Sequence, residues 1–359
     1  MRKLFAMAAA ILLAAALPFS VHAFSAQKAI LMDGNTGRIL YEKNADSQSL
    51  IASTTKIMTA LVVCEQCNVL DRVRIPKEAV GIEGSSMYLR EGEVLTVQDL
   101  LYGMMLHSGN DAATALAIYC GGTVEGFAEL MNDKAFSLQM SGSHFVNPHG
   151  LDAPGHYSTA KDLAILARQA MKNPIFASTV SAKSVSAANR RLTNHNKLLW
   201  RVEGANGIKT GYTKAAGRIL VSGAKRNGRQ LIAVTISAPD DWNDHTALLE
   251  DGFSGFQERL LVRKGELVGI LDVAWGTSEK VPLIASEDFF WTMAKGEMVS
   301  IVLPGSGFVY APFSVGQWAG DAHVLVDGEP AGSVHLEYGS SAELIKEEKR
   351  SIWQRLFGG

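Results

Sequence analysis

The stretch that decides the fold is IASTTKIMTALVV, residues 51–63. It places Ser53 and Lys56 three positions apart at the start of an apolar run with helical spacing. Such a pair suits a serine nucleophile with its base, but a serine before an apolar run is also an ordinary helix cap. The tetrad Ser-x-x-Lys alone does not decide, because it recurs along the chain. The copies are Ser25/Lys28, Ser53/Lys56, Ser158/Lys161 and Ser222/Lys225.

Three of these four serines have ordinary interpretations. Ser25 follows the predicted signal cleavage point, on a segment that we expect to be loose. Ser222 lies at the end of a predicted strand, where a residue three positions on points to the opposite face. Ser158 opens a helix in which Thr159 and Asp162 fit a capping box. None of the three requires a chemical role for its lysine.

Ser53 differs from these serines in its surroundings. A residue three positions on lies on the same helical face, so Lys56 can reach the Ser53 hydroxyl. The following helix is mostly apolar, which predicts partial burial of Lys56 and a pKa low enough for a base near neutral pH. A helix N-terminus also favours negative charge that develops on a substrate. This copy is therefore the best suited to nucleophilic catalysis.

The composition is that of an exported globular protein. The 359 residues, 47% hydrophobic and 19% charged, are enough for two domains. Residues 1–23 combine a basic start, an apolar stretch and a small final residue, which predicts a secretory signal cleaved after Ala23. An uncleaved membrane anchor is the alternative, although an apolar run of roughly 15 residues is short for a span. No basic block is present, so nucleic acid is not an expected partner.

Apolar periodicity predicts strands at both ends of the first 260 residues and helices between them. The predicted strands are 27–33, 38–44, 218–222 and 230–237. One predicted helix begins near Ser53, and three others span 98–106, 111–120 and 159–172. Strands from the two ends can pair into one antiparallel sheet with the helices packed on it. This pattern predicts an α/β (α+β) domain over residues 24–262.

The remaining residues have a different character. Residues 263–340 contain short strands with turns, which is typical of a small all-β domain. Residues 341–359 are helical in pattern, with Ile345, Ile352 and Leu356 on one face. This tail is either an amphipathic helix on the membrane surface or a helix packed on its own domain.

The chain has three cysteines, Cys64, Cys67 and Cys120. Cys64 and Cys67 form a CxxC at the end of the predicted apolar helix, a spacing found in redox and metal sites. No second CxxC or nearby histidine pair completes a zinc site, so buried or half-buried thiols are the favoured interpretation. An odd number in an exported protein leaves at least one thiol free.

Two further triplets follow the Ser53 tetrad in a fixed order. Ser108-Gly109-Asn110 separates two predicted helices, and Lys209-Thr210-Gly211 precedes a predicted strand. A Lys-Thr-Gly on an edge strand offers a cation and a hydroxyl to a carboxylate, and we expect its glycine to leave room for a substrate backbone. Each triplet is common by chance, but the ordered set in an exported protein is not.

With these motifs, the sequence resembles the low-molecular-mass penicillin-binding proteins that are serine-type D-alanyl-D-alanine carboxypeptidases. The resemblance covers about residues 24–260 and implies a serine β-lactamase/transpeptidase-like fold, an antiparallel sheet with helices on both faces. The β-rich part is similar in placement to the family's C-terminal domain, and the tail to its membrane anchor. The matching segments are ASTTKIMTA (52–60), LHSGNDAATALA (106–117), FVNPHGLDAPGHYSTAKDLA (145–164) and GIKTGYTKAAG (207–217).

The resemblance implies catalytic roles. Ser53 would attack the carbonyl between two terminal D-alanines of a peptidoglycan stem peptide, with Lys56 as general base. Backbone N–H groups of Ser53 and Tyr212 would form the oxyanion hole, and Ser108 and Asn110 would complete the proton network and hold the substrate amide. Hydrolysis of the acyl-enzyme would release D-alanine, and β-lactam antibiotics would trap the serine. No cofactor or metal is implied, and the expected location is the outer face of the cytoplasmic membrane or the cell wall.

Recognition of the substrate carboxylate departs from the family pattern. The resemblance implies that Lys209 and Thr210 bind this carboxylate, with Gly211 and Tyr212 lining the strand beside the substrate. Some members carry an additional arginine after the last strand of the sheet, but residues 239–245 contain none. Another family arginine is matched here by His195, which would contribute weakly.

Related activities remain as alternatives. An endopeptidase that cuts cross-links shares all three motifs, and a non-catalytic penicillin-binding or wall-binding module shares the fold. A class A β-lactamase needs a carboxylate base for deacylation, but residues 140–165 contain only Asp152 and Asp162 as acids. Gly109 also favours the carboxypeptidase. His149 and Asp152 are expected to stabilise their loop.

Overall fold

The computed structural model describes residues 23–305 and 307–345 of the chain. Residues 1–22 of the predicted signal and residues 346–359 of the predicted tail lie outside the described residues. Two compact units divide after Phe256, whereas the sequence suggested a boundary after residue 262. Residues 341–345 are not helical, and Ala342 and Leu344 instead form bridges to Phe313 and Gly276.

A five-stranded antiparallel sheet organises the first unit, with strand order β2-β1-β9-β8-β7. Its strands and those of two small hairpins are β1 (Lys28–Asp33), β2 (Ile39–Lys43), β3 (Arg72–Arg74), β4 (Val94–Thr96), β5 (Ser184–Ala187), β6 (Arg190–Thr193), β7 (Ala205–Thr213), β8 (Gly217–Arg226) and β9 (Arg229–Ile236). The first and last strands of the unit therefore meet at the centre of one sheet, as the sequence predicted.

The helices lie on both faces of this sheet. They are α1 (Lys56–Gln66), α2 (Val97–Leu106), α3 (Asn110–Gly121), α4 (Val124–Ser137), α5 (Ala160–Ala170), α6 (Pro174–Ser181) and α7 (Asp241–Gly255). Strand β9 is buried, and its successive side chains point to opposite faces of the sheet. Ile232 and Val234 enter the main core under the helices, while Thr235 bonds His245 of α7. The predicted layer arrangement is confirmed.

Helix α1 occupies the centre of the helical layer. Every residue from Lys56 to Val63 is buried, because helices α2 to α6 surround it. A helical segment that is covered on all sides must be apolar all round, and residues 56–63 of α1 are apolar except for Lys56 and the buried Thr59. The charged residue at the start of α1, Lys56, is therefore inside the protein. Burying a charge is costly, so a lysine at this position indicates a structural or chemical role.

The second unit is all-β, as predicted. Its strands are β10 (Phe256–Val262), β11 (Leu267–Ala274), β12 (Lys280–Ala285), β13 (Phe289–Ala294), β14 (Val299–Val302), β15 (Phe308–Tyr310), β16 (Trp318–Val326) and β17 (Glu329–Tyr338). A six-stranded sheet has the order β14-β16-β17-β12-β11-β15, and β10 pairs with β13. Alternate residues of these strands, such as Leu283 and Leu336, form its core.

Candidate active site

Ser53 lies on a 3-10 turn, Ala52–Thr55, that leads into α1. Its hydroxyl does not cap the helix, and no side-chain cap bond is present at the start of α1. Instead the Nζ of Lys56 lies 3.1 Å from the Oγ of Ser53. Ala52 holds a left-handed backbone with φ of 45°, which residues other than glycine rarely adopt. The turn therefore presents the serine to its lysine at some local cost.

Lys56 is fully buried and has three oxygen partners. Besides Ser53, its Nζ donates to the Oδ1 of Asn110 and to the backbone oxygen of His149, both at 2.7 Å. Burial, then the nearby charge of Lys209, lowers the pKa of Lys56 well below its usual value. A neutral amine has two N–H groups and one lone pair. Because two of its partners can only accept, the lone pair is left for the Ser53 hydroxyl.

Ser108 and Asn110 occupy the junction between α2 and α3. Ser108 holds a left-handed backbone with φ of 61°, and Asn110 is the first residue of α3. The Asn110 amide also donates to the backbone oxygen of Glu83. One side chain thus joins the lysine to the loop before α2, and its orientation is fixed from both ends.

Asp111 anchors this loop to the start of α3. Its carboxylate accepts hydrogen bonds from the backbone N–H groups of Met87 and Leu89, at 3.1 Å, and from the Ser86 hydroxyl at 2.6 Å. Sequence analysis missed the loop because its contacts with α3 join residues more than twenty positions apart.

Lys209 lies on the edge strand β7 and is buried. Its Nζ donates to the Oγ of Ser108 at 3.0 Å and to the backbone oxygen of Thr210 at 2.9 Å. Burial lowers the pKa of Lys209 to about 7. The three motifs of the sequence are therefore linked by hydrogen bonds from Lys56 to Asn110 and from Lys209 to Ser108.

Gly211 packs against the turn that carries Ser53. A Cβ at this position would lie 3.2 Å from the backbone nitrogen of Thr54 and 3.3 Å from that of Ser53. On the side where a side chain would project, the space is thus filled by the nucleophile turn. Because Gly211 lacks a side chain, β7 can approach this turn closely.

An open cleft of about 310 Å³ lies over this cluster. Its lining residues are Ser53, Ser85, Ser108, His195, Thr210, Gly211, Tyr212, Arg218, Asp241 and Trp242. Desolvation, followed by the charges of Lys209 and His107, lowers the pKa of His195. The imidazole is therefore neutral at neutral pH and offers one N–H group and no positive charge.

Arg218 of β8 supplies a cation that the sequence analysis did not find. Its Nη2 contacts both carboxylate oxygens of Asp241, at 2.7 and 2.9 Å, and its guanidinium lies 5.7 Å from the ring centre of Trp242. Both ion-pair contacts run from Nη2, so Asp241 does not use the other N–H groups of the guanidinium. Residues 239–245, after β9, contain no arginine, but β8 brings the Arg218 side chain to the same cleft.

The loop 147–152 stabilises the site through its backbone. The Asn147 side chain accepts from the backbone nitrogen of Gly150 at 2.7 Å, and burial lowers the pKa of His149 to about 3. Gly150 has φ of 87°, and a Cβ there would lie 1.9 Å from the Ala52 oxygen. Asp152 bonds the Thr213 hydroxyl. The loop holds the His149 carbonyl against Lys56, and the expected stabilising role matches these contacts.

The other serines of the tetrads have structural partners. Ser158 bonds Ser143, and the helix cap itself is Thr159, which accepts from the Asp162 nitrogen. Ser222 bonds the buried ring of His245 at 2.6 Å. The expectation that Ser25 is loose was wrong, because its nitrogen and hydroxyl both bond the Asp244 carboxylate.

Within residues 23–305 and 307–345, no cluster of three or more His, Cys, Asp and Glu side chains could hold a metal ion. In the same residues, no helix has the length and apolar character needed to cross a membrane.

Comparison with known proteins gives a consistent result. The D-alanyl-D-alanine carboxypeptidase family matches residues 15–240, and the family described as penicillin-binding protein 5, C-terminal domain, matches residues 256–343. The D-alanyl-D-alanine carboxypeptidase DacF of Bacillus subtilis is 33% identical over 323 residues, which are 86% of this chain and 83% of that protein.

Solved structures support the same relationship. Penicillin-binding protein 5 from Haemophilus influenzae superposes with a TM-score of 0.79 at 31% identity, covering 90% of this chain and 99% of that one. Penicillin-binding protein D2 from Listeria monocytogenes, in its ampicillin-bound form, gives a TM-score of 0.60 at 31% identity and covers 64% of this chain and 98% of its own.

The first unit has the transpeptidase/β-lactamase-like fold of the penicillin-binding proteins, followed by an all-β domain. The chain belongs to the D-alanyl-D-alanine carboxypeptidase family. It is a serine-type D-Ala-D-Ala carboxypeptidase, which confirms the fold and the activity that the motifs predicted.

Proposed function

We propose that Ser53 is the nucleophile of this carboxypeptidase and that Lys56 is its base. The observation that supports this most is the geometry of the Lys56 amine. Two carbonyl oxygens, of Asn110 and His149, accept its N–H groups at 2.7 Å, and its lone pair is thereby directed at Ser53. The lowered pKa favours the neutral amine, which accepts the hydroxyl proton as the oxygen attacks the peptide carbonyl.

The oxyanion of the tetrahedral intermediate would be held by the backbone N–H groups of Ser53 and Tyr212. The proposal is supported by the close approach of β7 to the nucleophile turn at Gly211. Donors on two rigid elements, a strand and a turn packed against it, need no reorganisation during the reaction.

The substrate's terminal carboxylate would lie against β7 and β8. Thr210 offers a hydroxyl, Lys209 a buried ammonium and His195 a single N–H group. Arg218 offers the N–H groups of its guanidinium that Asp241 does not use. With a pKa of about 7, Lys209 loses its charge in mild alkali, whereas an arginine remains charged throughout. We therefore infer that Arg218 replaces the arginine that residues 239–245 lack.

The family acts on peptidoglycan stem peptides and binds β-lactams, and we propose both properties for this chain, with export directed by residues 1–23. We expect the penicilloyl adduct on Ser53 to be long-lived, because the two acids of residues 140–165 are not placed to activate a water that would hydrolyse it. Asp152 bonds Thr213 and Asp162 bonds Ser143, and neither lines the cleft. A water activated by a carboxylate, as in class A β-lactamases, is therefore not provided by these two residues.

The proposal is tested by incubating the full chain with a penicillin, followed by intact-mass analysis and peptide mapping. We expect one adduct on the peptide with Ser53, absent in Lys56→Ala and retained in Lys225→Ala, the exposed lysine of another tetrad. D-Alanine release from a stem pentapeptide should follow the same pattern. An adduct on Ser158 would contradict the assignment, and cleavage of cross-linked dimers without D-alanine release would support the endopeptidase.

A further inference from the structure

Two of the three cysteines meet at one end of the helical layer. Cys67 caps the C-terminal end of α1, and Cys120 lies in the last turn of α3. Their sulfur atoms are 2.8 Å apart, although the residues are 53 positions apart in the chain. Both side chains are half-buried, so a small oxidant can reach them from solvent. In the sequence, by contrast, the neighbouring cysteines are Cys64 and Cys67 of the CxxC.

The contact lies at the opposite end of two helices that carry the proposed catalytic groups. Lys56 begins α1 and Asn110 begins α3, and their side chains are joined at 2.7 Å. The two helices therefore run side by side in the same direction, with one contact at their starts and the cysteine contact at their ends. Since α1 has 11 residues, these contacts are separated by about 16 Å along the helix.

The pKa of its thiol distinguishes Cys67 from the other two cysteines. The hydrogen bond between the Cys67 and Cys120 sulfur atoms lowers the pKa of Cys67, which favours the thiolate that begins disulfide exchange. Burial, then the neighbouring Cys67 and Glu65, raises the pKa of Cys64 to about 12. The pKa of Cys120 is raised as well, so geometry selects the partner: the Cys120 sulfur lies 2.8 Å from the Cys67 sulfur.

We propose that Cys67 and Cys120 form a disulfide bond in the mature protein and that Cys64 remains a thiol. The proposal rests on export, because disulfides persist in oxidising compartments. The oxidant is a disulfide donor, either a small-molecule disulfide or a thiol oxidase. The Cys67 thiolate attacks a donor sulfur and expels one donor thiolate. The Cys120 sulfur, losing its proton, then attacks Cys67 and expels the second. Two protein thiols are oxidised and one donor disulfide is reduced.

Such a bond would stabilise the catalytic helices. It would close a loop that contains α2 and the loop held by Asp111, and so restrict the unfolded chain more than a CxxC bond between adjacent turns would. Because the bond lies far from Lys56, oxidation should raise the melting temperature by several degrees and leave the rate of Ser53 acylation at 25 °C unchanged within about twofold.

The experiment uses the full chain equilibrated with oxidised glutathione, then alkylated and mapped without reduction. We expect a cross-linked peptide pair with Cys67 and Cys120, a loss of two hydrogen atoms in mass, and one alkylated thiol, Cys64. Cys64→Ser should retain the cross-link, and Cys120→Ser should lose it. Reduction should lower Tm in the wild type and leave the Cys67→Ala/Cys120→Ala variant unaffected.

Three alkylated thiols after oxidation, a Cys64–Cys67 bond or an unchanged Tm on reduction would overturn the proposal. The Ser53→Ala variant separates this result from the catalytic assignment. It should form the same cross-link while it fails to bind penicillin covalently.

Discussion

The buried ammonium of Lys209 lowers the pKa of Lys56, so a group proposed to bind substrate also prepares the proposed base. Burial is the larger cause, but the Lys209 charge adds to it because positive charges in a dry interior disfavour each other. The two side chains belong to separate networks, through Asn110 and through Ser108. Their coupling makes the pH dependence of acylation a direct test of the site.

The acylation rate should fall at low pH as Lys56 becomes protonated, and this acidic limb of the pH–rate profile should move to higher pH when Lys209 is replaced with Gln. Removal of the charge raises the pKa of Lys56, and the amine is then neutral only at higher pH. The measurement is the rate of acylation by a fluorescent penicillin between pH 5 and 9. Lys214→Gln, an exposed lysine just after the same strand, serves as the control. A limb that stays in place, or moves to lower pH, would show that the two lysines are not coupled.

Asp111→Asn should shift the same limb in the opposite direction. The Asp111 carboxylate raises the pKa of Lys56, so its neutralisation lowers that pKa further and populates the base at lower pH. The variant also weakens the bonds to Met87 and Leu89, and a lower Tm is expected. The pH at which the acidic limb lies is set by the pKa of Lys56 and does not depend on this loss of stability. If Asp111→Asn and Lys209→Gln shifted the limb in the same direction, the charge argument would be wrong.

The sequence predicted the core of the site because helical spacing alone places Lys56 beside Ser53. The order of the motifs and the resemblance then supplied Ser108, Asn110 and Lys209, and the structure brings all of them together. Contacts made by folding over long distances could not be predicted. Arg218 reaches the cleft from β8, and Cys67 meets Cys120 across two helices. Sequence periodicity gives the face of a side chain but not its neighbour on another element.

Arg218→Gln should raise KM for a D-Ala-D-Ala peptide by about tenfold, with little change in kcat. A charge-assisted hydrogen bond contributes about 1.5 to 3 kcal/mol, and the lower end applies because the Arg218 side chain is 42% exposed. The control is a peptide with a C-terminal amide, on which the substitution should have no effect. An equal rise in KM for the peptide with a C-terminal carboxylate and for the amide would mean that Arg218 acts only by holding Asp241. Activity should fall most above pH 7, where the Lys209 charge is also lost.

Gly211→Ala tests the approach of β7 to the nucleophile turn. The new Cβ would meet the backbone nitrogens of Thr54 at 3.2 Å and Ser53 at 3.3 Å, a contact that one of the two rigid elements must relieve by moving. Because transition-state stabilisation by an oxyanion hole depends on donor positions, the acylation rate should fall by about 10²-fold. Gly228→Asn, at a turn of the same sheet with nothing within 4 Å, should leave the rate unchanged. An unaltered rate in Gly211→Ala would show that the oxyanion is stabilised without β7.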